Sequence, residues 1–565
     1  MAEHIFFISY ILIFIISIVG HGEFFSRIVY KDLLELNIGY LGIIGFFSLS
    51  VYSILSSFLY SHNFAHNIIV HFIGFIGFYF YIRRNKNNII DVKYFLLLLL
   101  IFLIGAYVYK NHDDFPYYHL TYSLNLSENK FIIGTGIFSH GFRTFSSLFH
   151  FHSLLYMPYI KFYLFHIGPF LILVFFNYII IYRLIKNNIK HNFTSYFSLL
   201  SLIFVNIVFY RLGEHGTDRS AQILLLLIFL FFADLMYFEK KNKKISLYLN
   251  LLLIFIFLAS SMKAIYYMYL LLVPMILFKK KFFRKFFVRK NFLIIIVLSF
   301  SLLGNVATNY LTTGCILYPA EKTCIGKNEW SIPKKEVKRM KLHYEWWAKA
   351  GGGPGYVSEM PQKDYVKNFN WLKNWIDRHF FNKVSDTLFG LIFVYSLIFF
   401  IFYLFSNKNN KKINFKHYLS ILIIPFVFLL EWFLFHPAMR YGGYVLIGLP
   451  LIIFTSLMIE RLNINKQKIN SLIMILIITS VFIYFGRNIV RLNKEINFYN
   501  YPIVNSPYFY VAENESITIL NKGDFKIYSV KGGKMCWAAK TPCSYSKTMK
   551  YKKFLGLNMV YRDDW

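Results

Sequence analysis

The sequence predicts an all-α polytopic membrane protein of about fourteen transmembrane helices, with a small disulfide-stapled α/β module at its C-terminal end. Three observations predict it. Apolar residues make up 57% of the 565 positions and charged residues 16%, which leaves too little polar surface for a protein surrounded by water. The apolar residues gather in runs close to the roughly 20 residues that cross a hydrocarbon core of about 30 Å. The 61 Lys and Arg against 28 Asp and Glu give a net charge of +33, and these bases sit in short clusters between the runs. A soluble chain so basic would suggest nucleic acid, but clusters arranged in this way read as topology signals, with no nucleic-acid partner.

In chain order the runs lie near residues 5–20, 39–60, 64–82, 92–109, 163–182, 194–210, 220–238, 245–260, 264–278, 291–309, 385–405, 417–435, 444–460 and 470–486. They place a helical membrane domain over residues 1–486 and a tail module over 487–565. The first run follows Met1-Ala2-Glu3-His4, with no basic n-region before it and no small-residue cleavage site after it, so it is expected to stay in the mature protein. The tail contains an alternating stretch, Phe525-Lys-Ile-Tyr-Ser-Val530, that reads as a strand.

Arg83, Arg84 and Lys86, then Arg183, Lys186 and Lys190, then Lys240 to Lys244, Lys279 to Lys290, Lys408 to Lys412, and Arg461 to Lys468 all fall on one side of the alternating helices. The positive-inside rule makes that side cytoplasmic. The other side receives the connection 110–162, the loop 211–219, the tip at Lys263, the segment 310–384, the loop 436–443, the tail and both termini. All four cysteines fall on that outer side as two local pairs, Cys315 with Cys324 and Cys536 with Cys543, which predicts two disulfides; a zinc site is the rival reading.

Charged groups near membrane depth are expensive and usually line a cavity, so each is a functional candidate. In Lys110-Asn-His-Asp-Asp-Phe-Pro-Tyr-Tyr-His-Leu120, Asp113 and Asp114 sit at the outer interface and Pro116 opens a new segment. That segment reads as an amphipathic helix lying along the membrane surface, with His119 beside the acidic pair. The competing reading makes the two carboxylates helix caps. Gly134-Thr-Gly-Ile-Phe-Ser-His-Gly-Phe-Arg-Thr-Phe-Ser-Ser147 combines turn glycines with His140, Arg143, Ser146 and Ser147, and Arg143 could hold an anionic oxygen; the lysine of a Walker loop is missing. The loop Arg211-Leu-Gly-Glu-His-Gly-Thr-Asp-Arg219 crowds Arg211, Glu214, His215, Asp218 and Arg219 into nine residues, as a phosphate or pyrophosphate site would, or as a surface salt-bridge cluster would. Lys263 interrupts an apolar run between two arms of about 15 residues, too short for a full crossing, so its ammonium is expected below the outer interface beside an anion such as a lipid-linked phosphate; snorkelling to headgroups is the alternative. Glu431 and His436-Pro-Ala-Met-Arg440-Tyr-Gly-Gly-Tyr444 place Arg440 at an outer helix end, with the glycines as a packing device or part of a site.

The acidic pair after an early helix, the amphipathic connection and the basic residues at outer helix ends resemble the integral GT-C glycosyltransferases, which use polyprenyl-phosphate sugars. Asp114-Phe-Pro-Tyr-Tyr-His-Leu120, with His140-Gly-Phe-Arg143 and Ser146-Ser147, resembles a group of uncharacterised bacterial multi-pass membrane proteins often found with surface-polysaccharide genes, over about residues 110–155. The resemblance implies a GT-C-like fold in a bacterial inner (plasma) membrane with both termini periplasmic. It implies inverting transfer of a sugar from a polyprenyl-phosphate donor to a carbohydrate or lipid acceptor, in surface-polysaccharide or glycolipid assembly. In that scheme Asp113 or Asp114, with His119, supplies the base; Arg143, Arg211, Arg219, Lys263 and Arg440 hold phosphate; His140, His215, Glu214 and Asp218 touch substrate. No nucleotide or redox cofactor is called for, and a divalent metal on the acidic pair and His119 stays open. Trp330, Trp346, Trp347, Trp371 and Trp375, with Gly351-Gly-Gly-Pro-Gly355, would stack on sugars or anchor the interface. Two rivals share the topology: a lipid-linked oligosaccharide flippase, which would show two similar halves, and an O-antigen-type polymerase or ligase, in which the acidic pair would be dispensable.

Overall fold

The computed structural model describes all residues except 1, 187–190, 215, 239–241, 326–327, 352–359, 408–417, 514–516, 523–524, 531–534, 547 and 564–565. Lys190, Lys240, Lys241, Lys408, Lys411, Lys412, His215 and most of the 351–355 glycine stretch therefore lie outside the described residues.

The apolar runs become helices: α1 (Ala2–Ile28), α2 (Ile38–Ser57), α3 (Phe64–Arg84), α4 (Lys86–Phe102), two short helices α5 (Leu120–Glu128) and α6 (Ser147–Ser153), then α7 (Ile167–Lys186), α8 (Phe193–Val208), α9 (Thr217–Ala233) and α10 (Asn242–Met262). After α11 (Leu272–Leu277) and α12 (Lys280–Phe286) come α13 (Phe292–Thr313), α14 (Lys334–Lys349), the single turns α15 (Gln362–Tyr365) and α16 (Leu372–Trp375), then α17 (Ser385–Leu404), α18 (Leu419–Phe435), α19 (Gly443–Arg461) and α20 (Lys466–Asn497). Each of the fourteen runs holds helix. Among the described residues eleven helices are long and apolar enough to cross a membrane, while α8, α18 and the stretch Ala264–Leu277 are shorter. The chain is a multi-pass membrane protein in which α2, α7, α9 and α10 are largely enclosed and α3, α4, α13, α17 and α20 turn apolar faces outward.

Small residues let the first helices touch. A Cβ on Gly20 of α1 would lie 1.7 Å from the Gly74 carbonyl oxygen of α3, and one on Gly45 of α2 would lie 1.8 Å from the Ile18 oxygen of α1.

The connection 110–162 departs from the interfacial helix read in the sequence. It begins with a π-helical turn, Phe115–His119, and continues into α5, of which Leu120 to Ser127 are buried; every residue of α6 is buried too. The polar positions that looked solvent-facing bond to protein instead. Thr121 Oγ1 donates to the Trp537 carbonyl, Glu128 accepts from Thr541, and Ser153 Oγ bonds His62. The cover is the tail: β1 (Ile517–Lys522), β2 (Phe525–Val530) and β3 (Cys543–Ser544) form one sheet, β4 (Lys550–Phe554) and β5 (Leu557–Tyr561) a hairpin, and Met559 bridges to Ile133. A further two-residue pairing joins Ser406–Asn407 to Asn463–Ile464. The disulfides Cys315–Cys324 and Cys536–Cys543 are both formed. α20 runs past residue 486 to Asn497, so the tail starts as a continuation of a membrane helix.

The segments assigned to one side gather at one end of the bundle. Ser506 bonds Glu3 beside the N-terminus, the Trp537 amide donates to Pro116, and Arg143 pairs with Glu336 of α14. Basic residues of the other loops pair with carboxylates elsewhere: Arg84 with Glu23, Arg183 with Asp234 and Lys290 with Asp32.

Candidate functional site

Four ionisable side chains from four separate connections meet at the end where the tail sits. Asp114 precedes the π-helical turn, a local widening of the helix that often marks functional positions. Asp218 lies in the first turn of α9, after Gly216 (φ 58°), whose missing side chain leaves room for the His119 ring 2.7 Å from where a Cβ would be. Lys263 is extended and interrupts the helix between α10 and the 3₁₀ stretch Ala264–Leu271. Arg440 sits in the turn before α19, where Gly442 takes φ 105°.

Arg440 joins the two acids: its Nη2 lies 2.5 Å from Asp114 Oδ2 and its Nε 2.7 Å from Asp218 Oδ2. Lys263 Nζ donates to the other oxygen of Asp218. Two carboxylates and two cations thus close a neutral quartet, which is how a partly desolvated set of charges is tolerated. Arg440 also stacks on Trp347 at 5.2 Å, and Lys263 on Tyr441 at 5.1 Å.

Burial opposes the charge on Asp114, but the Arg440 guanidinium wins and holds its carboxyl down at about 2. Burial lowers Lys263, with Asp218 resisting; burial lowers His119 to about 3, so its imidazole is neutral. His119 Nε2 is buried with no partner among the described residues.

Two chambers share Arg440 as part of their walls. The larger, of about 370 Å³, is lined by Asp114, Lys263 and Arg440 together with an aromatic wall of Tyr118, Tyr318, Tyr344, Trp347 and Tyr441 and the imidazoles of His140, His343 and His436. The smaller, of about 240 Å³, is lined by Asp218, Arg219, Arg440, His112, His379 and Lys383.

The remaining candidates are placed elsewhere. Asp113 is exposed and lines neither chamber. Arg211 grips Glu214 at 2.8 Å, Glu214 also meets Arg491 of α20 at 3.4 Å, and Arg491 pairs with Glu495 and donates to the Tyr107 carbonyl at 2.9 Å. This latch ties the 211–214 loop to the tail helix and stands apart from the quartet. Arg143 donates to Gly136 O and pairs with Glu336 at 2.9 Å, which pins α14, the carrier of Trp347, over the larger chamber. Ser146 caps α6 through the Leu148 amide, Ser147 bonds Ser261 two residues before Lys263, and Glu431 faces His436 at 3.8 Å. Trp330, Trp371 and Trp375 are buried in packing, and only Trp347 of the five lines a chamber. Among the described residues no group of three or more His, Cys, Asp or Glu is placed to hold a metal ion.

The sequence reading missed His112, His343, His379, Lys383 and Arg491. A weak signal existed for one pair: His379 and Lys383 are four apart, one helical turn, just ahead of an apolar run.

No curated protein and no solved structure matches the chain. A family model matches residues 4–447, a span that contains Asp114, Asp218, Lys263 and Arg440 and stops before the tail: the chain belongs to the family Domain of unknown function (DUF8201).

Proposed function

We propose that the protein is a membrane glycosyltransferase of GT-C-like design, which moves a sugar from a polyprenyl-phosphate donor to an acceptor hydroxyl in surface-polysaccharide or glycolipid assembly. In this reading it sits in a bacterial inner membrane with the chambered end and both termini on the periplasmic side. The observation that carries it is the meeting of Asp114, Asp218, Lys263 and Arg440 beside an aromatic chamber of sugar-holding size.

A sugar already activated on a lipid phosphate needs an acceptor held in line, a proton acceptor and a stabiliser for the departing phosphate. Trp347, Tyr344 and Tyr441 offer flat faces for a sugar ring. Arg440 takes Asp114 Oδ2, while Oδ1 has no partner among the described residues and is free to accept from a hydroxyl. A carboxylate held near 2 is a weak base in the ground state, so Asp114 orients the hydroxyl first and receives its proton late, once bond formation has acidified it. Direct displacement by that hydroxyl inverts the anomeric carbon.

The test supplies polyprenyl-phosphate sugar and acceptor to purified protein in vesicles. Asp114→Asn is expected to lower transfer by about 10²–10⁴-fold, whereas the exposed Asp113→Asn leaves it within a few-fold. Transfer that survives Asp114→Asn would remove the base and favour a polymerase or ligase working on lipid pyrophosphates, a reading to which the cationic second chamber lends weight. Movement of lipid-linked sugar across the vesicle with no new bond would establish a flippase instead.

A further inference from the structure

The charges of the two chambers are not alike. Around the larger one they cancel, since Asp114 and Asp218 answer Arg440 and Lys263. In the smaller one two cations remain over. Arg219 stacks on the Tyr444 ring at 5.0 Å and forms no ion pair among the described residues, and neither does Lys383 at the exposed rim. His379 lines the same chamber, is 2% exposed, and leaves both ring nitrogens without a partner among the described residues. A buried imidazole with neither nitrogen satisfied is costly unless something absent from the protein itself completes it. Gly351 (φ 85°), in the same wall, packs against it: a Cβ there would come within 3.0 Å of His379. His379 and Lys383 share a π-helical stretch, Ile376–Val384, the second such stretch to border this site.

We infer that the smaller chamber is a phosphate-binding site, in which Arg219, Lys383 and the His379 imidazole hold a phosphoryl anion on the far side of Arg440 from the aromatic chamber. With Arg219, Lys383 and Arg440 set against Asp218, the lining carries a formal charge of +2, which matches a phosphate dianion, and the guanidinium, ammonium and imidazole all supply N–H donors. The carrier of that phosphate, a free ion or a lipid headgroup, rests on the glycosyl-transfer reading; the binding of the anion does not. Within that reading the donor's phosphodiester, a monoanion, occupies the smaller chamber with its sugar reaching past Arg440 into the larger, and it becomes the dianion that the chamber's charge matches when the anomeric bond breaks and the lipid monophosphate departs.

The experiment titrates the purified full-length protein in detergent with inorganic pyrophosphate in one arm and a short-chain alkyl monophosphate in the other, by calorimetry and ³¹P line broadening, with no acceptor present. Arg219→Gln and Lys383→Gln are each expected to weaken binding about tenfold or more, and His379→Phe to weaken it severalfold, while the exposed Lys335→Gln leaves it unchanged. Binding in either arm that responds to these substitutions supports the site, and response in the alkyl arm alone assigns it to a lipid headgroup. Affinity in the Arg219→Gln/Lys383→Gln protein equal to that of the unmodified chain, or no binding in either arm, overturns it. Should Arg219→Gln fail to fold, Lys383→Gln at the rim carries the test. Phosphate binding without sugar transfer would leave the site and remove the reaction; transfer unaffected by the double substitution would do the reverse.

Discussion

Arg440→Gln is the most informative single change, because among the described residues Arg440 is the one group that touches both acids of the quartet. In the unmodified protein Asp114 is held from an ordinary 3.8 down to about 2, which corresponds to roughly 2 kcal/mol of stability. The folded-state value is the depressed one, so this contribution is fully present above about pH 4 and is lost as pH falls through about 2. Asp218 keeps Lys263 as a partner and loses only half its compensation. Removing one member of a buried ion pair costs about 3–5 kcal/mol when the orphan has no other partner, so we expect a loss of about 3 kcal/mol near neutral pH. The loss should shrink as pH drops below 4 and Asp114 protonates in the variant. The assay is denaturant or thermal unfolding of detergent-purified protein at several pH values, with Asp114→Asn and the double variant completing the cycle. We expect the double variant to recover about 2 kcal/mol relative to additivity. A coupling below about 0.5 kcal/mol, or a destabilisation that does not change between pH 7 and pH 3, would refute the pairing and with it the electrostatic account of the site.

Two further outcomes test what surrounds the quartet. Arg491→Met removes the centre of the Glu214–Arg491–Glu495 latch and its bond to the Tyr107 carbonyl; we expect about 3–5 kcal/mol of lost stability by thermal unfolding, with phosphate affinity of the folded fraction unchanged. The double substitution Cys536→Ser/Cys543→Ser opens a short loop whose Trp537 amide donates to Pro116 and whose Trp537 carbonyl accepts from Thr121; we expect a loss of about 2–3 kcal/mol and faster amide exchange across Tyr117–Thr121 by mass spectrometry.

Much of the fold was legible because hydropathy measures what a membrane selects. Every apolar run became helix, and the four cysteines paired with their local partners. The buried plug 115–153 was not legible, since its serines and histidines look polar until the tail that covers them is in place. Asp114, Asp218, Lys263 and Arg440 were singled out for one reason, that a charge at membrane depth is expensive. Which charges meet was invisible. In the nine-residue loop 211–219, Arg211 and Glu214 face the tail helix while Asp218 and Arg219 face the chambers, because the chain turns at Gly216 with φ 58°. Likewise Asp113 and Asp114 are neighbours in sequence, yet only the second points inward.

The shared position of Arg440 couples the two chambers in a way that a neutral quartet alone would not. An anion entering the smaller chamber competes with Asp114 and Asp218 for the same guanidinium, and whatever share it takes weakens the field that holds the Asp114 carboxyl near 2. In the glycosyl-transfer reading proposed above, the carboxyl then rises toward its ordinary 3.8 and becomes a better proton acceptor only when a phosphate is in place, which would suppress idle chemistry at the acceptor side. The acid limb of kcat/KM reports the free protein and that of kcat the loaded one, so the second is expected at higher pH than the first. With Lys383→Gln the two limbs should draw together, because a less firmly held anion takes less from Arg440. Coincident limbs in the unmodified protein would show that Arg440 holds Asp114 equally in both states, and the chambers would then be neighbours without communication.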